Sequence, residues 1–290
     1  MQIITQAQVL RNAVDRIRAQ GGTLALVPTM GALHEGHLTL VREAKRRASH
    51  VAVSIFVNPR QFGPNEDLDA YPRQMEADIC LLEQEGVAVL WAPDVATMYP
   101  AGFATNVSVE GVSAPLCGAE RPGHFDGVAT VVLKLFNQVR PDVALFGEKD
   151  WQQLAVIRRM ARDLDLMRPH ADAILGVPIV READGLAMSS RNAYLSAEQR
   201  RQAAELPRAM RHALAALRTG NHAAEALGSL CEALLASGFA EVDYAELRDS
   251  DSLQPVDCAA GNARLFVAAR IGGTRLIDNM AVEEVGKAAA

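Results

Sequence analysis

The feature that most constrains this chain is an apolar strand that leads through a glycine-containing loop into a helix. Residues 23–27 form an apolar run of strand length, Pro28 breaks it, and the chain then turns through Gly31 and Gly36. From Leu38 onward apolar residues recur every three or four positions, which predicts a helix. Such a junction presents backbone N–H groups and the positive end of a helix dipole to an anion, usually a phosphate.

Two histidines, His34 and His37, lie at the start of this predicted helix. In a helical turn residues three apart point the same way, so two imidazoles beside an anion site suggest phosphoryl-group chemistry. A capping or core histidine and a zinc half-site are the alternatives. Leu38 stands where an H-E-x-x-H motif needs its second histidine, and no nearby Cys or His supplies further ligands. Neither the G-x-G-x-x-G nor the G-x-x-x-x-G-K-[ST] nucleotide motif occurs at this loop.

Strand and helix patterns alternate as far as about residue 180. Their apolar runs are continuous rather than alternating, which suits a sheet covered on both faces. We therefore predict an α/β fold, a Rossmann-like doubly wound parallel sheet, for residues 1–179. The further predicted strands are 51–57, 87–91, 142–146 and 174–180. The predicted helices are 6–20, 69–85, 128–139 and 151–163.

Residues 180–290 are predicted to form a second, smaller α+β domain. A capping-box pattern at 196–199 begins a helix whose apolar side continues to residue 217. A second helix is predicted at 223–236, followed by strands at 242–247, 263–270 and 274–278. Beyond residue 192 we expect a structural role for this domain rather than a catalytic one.

Charge and cysteine content exclude several classes of function. The net charge is −6, which argues against a nucleic-acid partner but leaves room for a nucleotide at a local positive site. The cysteines are far apart without a C-x-x-C pair, which favours a reduced, cytoplasmic chain over a disulfide framework. We find no signal-peptide pattern and no run of eighteen apolar residues, and therefore expect no membrane association.

Residues 34–37, His-Glu-Gly-His, resemble the H-I-G-H element of the nucleotidylyltransferase superfamily. The longer stretch 27–37, Val-Pro-Thr-Met-Gly-Ala-Leu-His-Glu-Gly-His, resembles one family within it, the pantoate–β-alanine ligases (pantothenate synthetases). Four more segments resemble that family in the same order along nearly the whole chain. They are Ile55–Phe62, Arg121–Val128, Phe146–Leu154 and Met188–Asn192. One departure is the connection at 166–172, which is a few residues longer than the family pattern and precedes Val180.

The resemblance implies an ATP-dependent condensation of (R)-pantoate with β-alanine through a pantoyl adenylate, with release of AMP and pyrophosphate. It implies ATP as co-substrate, Mg²⁺ with ligands that the pattern does not identify, and a homodimer. The implied catalytic residues are His34, His37, Lys149 and Arg191. The implied ATP-binding residues are Met30, Gly31, His34, His37, Gly147, Glu148, Lys149, Asp150, Val180, Met188, Ser189, Ser190 and Arg191. Asn58, Gln61 and Gln153 are the implied pantoate and β-alanine ligands, and residues 121–128 resemble the family's active-site cover. Three glycines and the lack of an apolar period predict that residues 118–127 form a mobile cover.

These residue types suit the reaction. The carboxylate of pantoate, with a pKa near 4, is ionised at neutral pH and needs no general base. The barrier is then repulsion between anions, so electrostatic positioning by cations and N–H donors should dominate catalysis. Gln61 and Gln153 can bind hydroxyls and carboxylate with both ends of a neutral amide.

Three other functions remain open at this point. A second H-x-G-H nucleotidylyltransferase, making a dinucleotide or a CDP-alcohol, fits the histidines but not the two glutamines. A tRNA-binding module related to class I synthetases fits poorly with the acidic charge. A His-x-x-His metal hydrolase would need further ligands.

Overall fold

Apolar runs separated by helices build a parallel sheet in the first part of the chain. The computed structural model describes residues 1–64, 66–219, 221–258 and 261–282. The strands of this sheet are β1 (Gln2–Ile4), β2 (Leu24–Thr29), β3 (His50–Ile55), β4 (Val89–Trp91), β5 (Val143–Gly147) and β6 (Ile174–Val177). Within the described residues all are parallel, in the order β1–β4–β3–β2–β5–β6.

This strand order is doubly wound. After β2 the chain moves outward to β3 and β4, and it then returns to the other side of β2 with β5 and β6. Residues 24–27 of β2 are fully buried, as a strand covered on both faces requires. The predicted Rossmann-like α/β class is confirmed, and the reversal between β2 and β5 creates a switch point at the carboxyl ends of these strands.

The helices of this region agree with the sequence pattern in the middle of each element more than at its ends. They are α1 (Ala7–Ala19), α2 (Glu35–Arg47), α3 (Met75–Gln84), α4 (Val95–Met98), α5 (Cys117–Glu120), α6 (His124–Val139) and α7 (Trp151–Asp163). The helix predicted from residue 69 begins only at Met75, because Pro72 disfavours helical geometry in the residue before it. Helix α6 begins four residues earlier than predicted, with Gly123 in a left-handed conformation before it.

The later part of the chain forms a smaller α+β structure. Its helices are α8 (Ala197–Ala203), α9 (Glu205–Arg218) and α10 (Ala223–Ala236). Its described strands are β7 (Glu241–Asp249), β8 (Ala263–Ile271) and β9 (Thr274–Ala281), which form an antiparallel sheet in that order.

The predicted capping box at Ser196 is present, with Gln199 as its second member. The single helix predicted to follow it is wrong, since the chain forms α8 and α9 instead. Pro207 explains the break, because it lacks the N–H that would bond to Ala203 in a continuous helix.

The described residues divide into two compact units. The first comprises Met1–Glu148 and Gln152–Pro178, and the second comprises Lys149–Trp151 and Ile179–Ala290. The tripeptide Lys149–Trp151 therefore packs with the second unit although it joins β5 to α7. None of the helices in the described ranges combines the length and apolarity that crossing a membrane requires.

Candidate active site

Three loops of the first unit follow neighbouring strands at the carboxyl end of the sheet. They come after β3, β2 and β5, which are adjacent in that order. The carboxyl ends of parallel strands, and above all the switch point between them, are where open α/β sheets bind ligands. Met30, Gly31, His34 and His37 lie in or directly after the loop that follows β2, and Asn58 and Gln61 lie in the loop that follows β3. Gly147 is the last residue of β5, and Glu148 comes directly after it.

The two histidines cap helix α2 reciprocally. The Gly36 N–H donates to Nδ1 of His34 at 3.2 Å, and the His34 N–H donates to Nδ1 of His37 at 3.3 Å. The two ring centroids are 4.2 Å apart. Because Nδ1 accepts in both rings, each neutral imidazole carries its proton on Nε2. The geometry therefore makes both residues Nε2–H donors, and combines the capping role with a donor role.

A buried carboxylate holds the loop before these histidines. Gly31 has φ +83° and Ala32 has φ +50°, both in the left-handed region. Asp78 on α3 is 2% exposed and accepts from the N–H groups of Ala32 at 2.9 Å and Leu33 at 2.8 Å. A Cβ on Gly31 would lie 3.0 Å from the Asp78 carboxylate, so glycine is needed there for space as well as conformation. The carboxylate thus fixes how the chain enters α2.

Gln61 is held by Met30 and Asn58. Its Nε2 donates to the Met30 sulfur at 3.1 Å, and its Oε1 accepts from Asn58 Nδ2 at 3.1 Å. The loops after β2 and β3 are therefore joined by the side chain that we predicted as a pantoate ligand. This contact brings together three of the predicted site residues.

Asn58 has a different environment from the one its predicted role implies. It is 1% exposed, and its Nδ2 also donates to the Gly127 carbonyl at 3.1 Å. Its Oδ1 accepts from the Tyr99 hydroxyl at 2.8 Å and from the Arg60 N–H at 3.3 Å. Burial raises the pKa of Tyr99 to about 12, so this hydroxyl remains a donor at neutral pH. Both ends of the Asn58 amide are thus occupied within the protein.

The predicted cover holds the backbone of Gln61. His124 Nδ1 donates to the Gln61 carbonyl at 2.8 Å, and Arg121 Nη2 donates to the same oxygen at 3.2 Å. Arg121 also forms a two-point ion pair with Glu66, with Nε and Oε1 2.7 Å apart. Burial acts to raise the pKa of Glu66, but the hydrogen bonds and charge of Arg121 outweigh it and hold this pKa below its ordinary value.

Two of the three glycines of this cover have a packing cause. A Cβ on Gly118 would lie 1.6 Å from the Ser113 carbonyl oxygen, and one on Gly127 would lie 2.3 Å from the Arg60 carbonyl oxygen. Both glycines allow close backbone contact rather than a flexible chain. Gly123, with φ +80°, has open space around a Cβ. The predicted mobility of residues 118–127 remains a prediction, and two of its three glycines no longer support it.

Two adjacent glutamines on α7 behave differently. Gln152 is buried, accepts from the Cys117 N–H at 3.0 Å, and donates to the carbonyls of Val112 and Pro115 at 3.0 and 2.6 Å. Gln153 is half-buried, and no described residue forms a hydrogen bond with its amide. Gln152 therefore fixes the chain before α5, whereas Gln153 is the one suited to a ligand.

In the second unit, a hairpin leads to the predicted phosphate loop. The Met188 N–H donates to the Val180 carbonyl at 3.0 Å, and Arg181 and Ala187 form an antiparallel bridge. The Arg181 guanidinium donates two hydrogen bonds, of 2.6 and 2.9 Å, to the buried carboxylate of Asp278 on β9. A strand of the C-terminal sheet therefore anchors this hairpin.

The residues after Met188 form a short 3₁₀ helix, Ser190–Tyr194. Its N-cap is Ser189, whose hydroxyl accepts from the Arg191 N–H at 3.3 Å. The Asn192 side chain donates to the Ala187 carbonyl at 3.1 Å and to Glu182 at 3.0 Å. These contacts group Ser189, Ser190 and Arg191 on one compact turn.

Lys149 and Asp150 lie in a 3₁₀ turn directly before α7. The Lys149 ammonium and the Asp150 carboxylate are 3.9 Å apart. The Lys149 carbonyl accepts a hydrogen bond from Asn279 at 2.9 Å, within the same unit.

Sequence reasoning missed the residues that hold the site. Asp78 carried a signal, since it precedes Leu82 by four positions and so lies on the apolar face of α3. Asp278 and Asn279 carried no comparable signal, because their partners are about 97 and 130 positions away along the chain.

In the parts of the chain that the structure describes, no three His, Cys, Asp or Glu side chains come together as ligands for an ion. A cation cage built by the protein alone does not fit these residues.

Similar proteins were found over the whole chain. The family model described as pantoate-beta-alanine ligase matches residues 2–281. A pantothenate synthetase of Novosphingobium aromaticivorans is 68% identical over 283 residues, which cover 97% of this chain and 99% of the relative. A pantothenate synthetase of Sphingopyxis alaskensis is 61% identical, with 97% of this chain and 100% of the relative covered.

Solved structures of similar proteins belong to the same family of enzymes. The pantothenate synthetase of Thermus thermophilus matches with a TM-score of 0.91 and 48% identity over 97% of this chain and 99% of that one. The pantoate-beta-alanine ligase of Francisella tularensis, complexed with beta-gamma ATP and beta-alanine, matches with a TM-score of 0.83 and 33% identity over 98% of both chains. This chain therefore belongs to the pantoate–β-alanine ligase family.

Proposed function

We propose that this ligase condenses (R)-pantoate with β-alanine to pantothenate in two steps, through a pantoyl adenylate formed from ATP. Membership of the family supports the overall reaction. The Francisella neighbour, crystallised with an ATP compound and β-alanine, supports both as substrates here. The observation that carries the proposal is the reciprocal histidine cap at the switch point, since it makes two Nε2–H donors at the edge where such sheets bind nucleotides.

In the first step the pantoate carboxylate attacks the α-phosphorus of ATP, and pyrophosphate leaves. The carboxylate is already ionised, so the residues need to reduce charge repulsion rather than remove a proton. His34 and His37 donate from Nε2 to phosphate oxygens. Lys149 and Arg191 supply positive charge, and Ser189 and Ser190 supply hydroxyl donors.

The remaining nucleotide contacts follow from position. Backbone atoms dominate this proposed group, because its members lie in turns at strand ends or at the hairpin that precedes the phosphate loop. The group comprises Met30, Gly31, Gly147, Glu148, Asp150, Val180 and Met188.

Gln61 and Gln153 are the proposed ligands for pantoate. Gln61 is held by its side chain and by its backbone, so it offers a fixed amide without ordering cost on binding. Asn58 was predicted with them, but both N–H groups of its buried amide donate within the protein and its oxygen accepts twice, whereas Gln61 makes one hydrogen bond at each end of its amide. We therefore propose that Asn58 orients Gln61 and does not contact pantoate.

In the second step the amine of β-alanine attacks the acyl carbon, and AMP leaves with the electron pair of the broken C–O bond. The ammonium of β-alanine resembles that of lysine, with a pKa of about 10, so it must first lose a proton to become a nucleophile. An Nε2–H donor such as His37 stabilises the phosphate oxygens of departing AMP.

Three further properties stay predictions. Mg²⁺ usually keeps several waters and binds through one or two carboxylates plus substrate phosphates, so we propose that it enters with ATP. A homodimer and a cytoplasmic location rest on the resemblance and on the isolated cysteines.

The test uses two assays on the full chain. Exchange of labelled pyrophosphate into ATP should require pantoate but not β-alanine, because it reports the reversal of adenylate formation, in which β-alanine takes no part. Net AMP formation should require both acids. Exchange that proceeds without pantoate, or that depends on another alcohol or acid, would assign the chain to a different nucleotidyl-transfer reaction.

A further inference from the structure

The tripeptide Lys149–Trp151 is held by the C-terminal sheet. The Trp151 indole N–H donates to the Ser250 carbonyl at 2.8 Å. The guanidinium carbon of Arg264, on β8, lies 3.6 Å from the centroid of the same ring. Both partners belong to the same compact unit as the tripeptide. Trp151 is thus fixed by an edge contact and a stacking contact.

Asn279 on β9 completes this support. Its Oδ1 accepts from the Arg264 guanidinium, and its Nδ2 donates to the backbone carbonyl of Lys149 at 2.9 Å. Asn279 is 2% exposed and pairs in register with Phe266 on β8. One amide therefore connects the cation that stacks on Trp151 with the backbone of Lys149.

A buried asparagine in a strand costs free energy, and the hydrogen bonds of Asn279 offset that cost. Asparagine is disfavoured in strands, and an amide loses free energy on burial unless it is hydrogen-bonded. A hydrophobic side chain would suit the strand, but it could not bind the Lys149 carbonyl. The neighbouring Asp278 projects to the opposite face of β9 and binds Arg181, so it cannot take over this contact.

The anchor matters because lysine is a flexible point charge. Its four-carbon stem can place the ammonium correctly only if the backbone from which it starts is fixed. The hydrogen bond from Asn279 is made to that backbone, not to the ammonium.

We propose that Asn279 is a positioning residue for Lys149, and acts on adenylate formation through the Lys149 backbone. The proposal rests on the proposed role of Lys149 in the first step. It assigns a function in the reaction to a residue of the C-terminal sheet, which the sequence indicated to be structural.

Asn279→Asp separates positioning from support. The aspartate keeps an acceptor for Arg264, but it turns an oxygen toward the Lys149 carbonyl in place of the N–H donor. In the folded variant, pantoate-dependent pyrophosphate exchange should fall at least about tenfold, while the pantoate Kd stays within about twofold. Asn221→Asp adds the same charge at an exposed position of the same unit and should change none of these quantities.

A second variant covers the case in which aspartate prevents folding. Asn279→Ser removes the amide donor without adding charge, and it should show the same loss of exchange. Asn279→Gln, which keeps an amide one methylene further out, should recover part of the rate. An exchange rate within twofold of the wild type in a folded Asp or Ser variant overturns the proposal.

A double-mutant cycle with Lys149→Ala distinguishes this inference from the proposed function. If Asn279 acts through Lys149, Asn279→Asp should lower exchange less than twofold in the Lys149→Ala background. Independent, multiplicative losses would overturn the positioning role. A Lys149→Ala enzyme with normal exchange would instead overturn the proposed role of Lys149.

Discussion

The histidine loop of the first unit differs in kind from the residues of the second unit that we propose to bind phosphate, which are Lys149 and the turn after Met188. The first carries two imidazoles, which cap α2 locally after a loop held by one buried carboxylate. The second carries cations and hydroxyls on a backbone held by a hairpin and by the distant strand β9. The difference teaches that neutral donors can be oriented by nearby backbone, whereas flexible cationic side chains need an anchor from elsewhere in the fold.

The largest expected effect comes from removing one donor of each kind. Lys149→Ala and His34→Ala should each lower adenylate formation about 10²-fold or more, as loss of a transition-state donor typically does. Only His34→Ala should also destabilise the fold, by about 1 kcal/mol, because it removes an N-cap. Single-turnover rates and denaturant titrations measure the two quantities.

A matched control for this pair is His34→Asn. Asparagine is a good N-cap but lacks the second ring nitrogen, so stability should return while the rate stays low. If the asparagine variant recovers both, His34 is only a cap.

The second test removes the carboxylate that shapes the histidine loop. Asp78→Asn replaces one acceptor with a donor facing a backbone N–H, which should cost about 1–3 kcal/mol of stability. Adenylate formation should fall about tenfold, since misplacing a donor weakens transition-state contacts. Asp94→Asn, at the exposed N-cap of α4, should lower stability slightly and leave the rate unchanged. A normal rate of adenylate formation in Asp78→Asn would contradict the view that this carboxylate positions the histidines for catalysis.

The third test asks whether the neutral amide of Gln61 binds pantoate rather than ATP. Gln61→Ala should weaken pantoate about tenfold and ATP less than twofold, because only pantoate is proposed to bind this amide. Equilibrium titration with each ligand gives both values, and Gln84→Ala, exposed on α3, is the control. Equal losses for both ligands would contradict the assignment.

The smallest expected effect concerns the support of Gln61 by the cover. The pKa of Glu66 is held below its ordinary value of 4.5 in the folded chain, so its ion pair stabilises the fold above that pH and the contribution is lost as pH falls through the folded value. Glu66→Gln should therefore lower the melting temperature by about 2 °C at pH 7.

The same comparison at acid pH tests the cause. Below the pH at which Glu66 protonates in the folded wild type, wild type and Glu66→Gln should melt together. A difference that persists unchanged at low pH would assign the stabilisation to shape rather than charge.

Prediction from the sequence succeeded where the cause of a structure is local. Helix α7 was predicted with its observed ends, 151–163, and the capping box at Ser196 was correct. It failed where proline acts against an apolar period, as in the helix predicted from residue 69 and the helix that breaks before Pro207.

The candidate site divides in the same way. The histidines and Gln61 could be found from residue type, spacing and resemblance. The functional roles of the predicted residues remain proposals, but the structure already changes the interpretation of Asn58, because burial and its partners decide what an amide can bind. The sequence shows that Asn58 carries an amide, but it does not show that the hydrogen-bonding groups of this amide are already paired within the protein.

The sequence by itself determined the order of strands β2 to β6 and of the long helices among them, the position of the histidine loop and the family, because these depend on periodicity and on residues close together along the chain. The tertiary structure alone decided which side chains hold that loop and Lys149. Asp78 meets Ala32 from 46 positions away, and Asn279 meets Lys149 from 130 positions away. No local pattern encodes such contacts, since a buried polar group finds its partner only when the whole fold brings the two together.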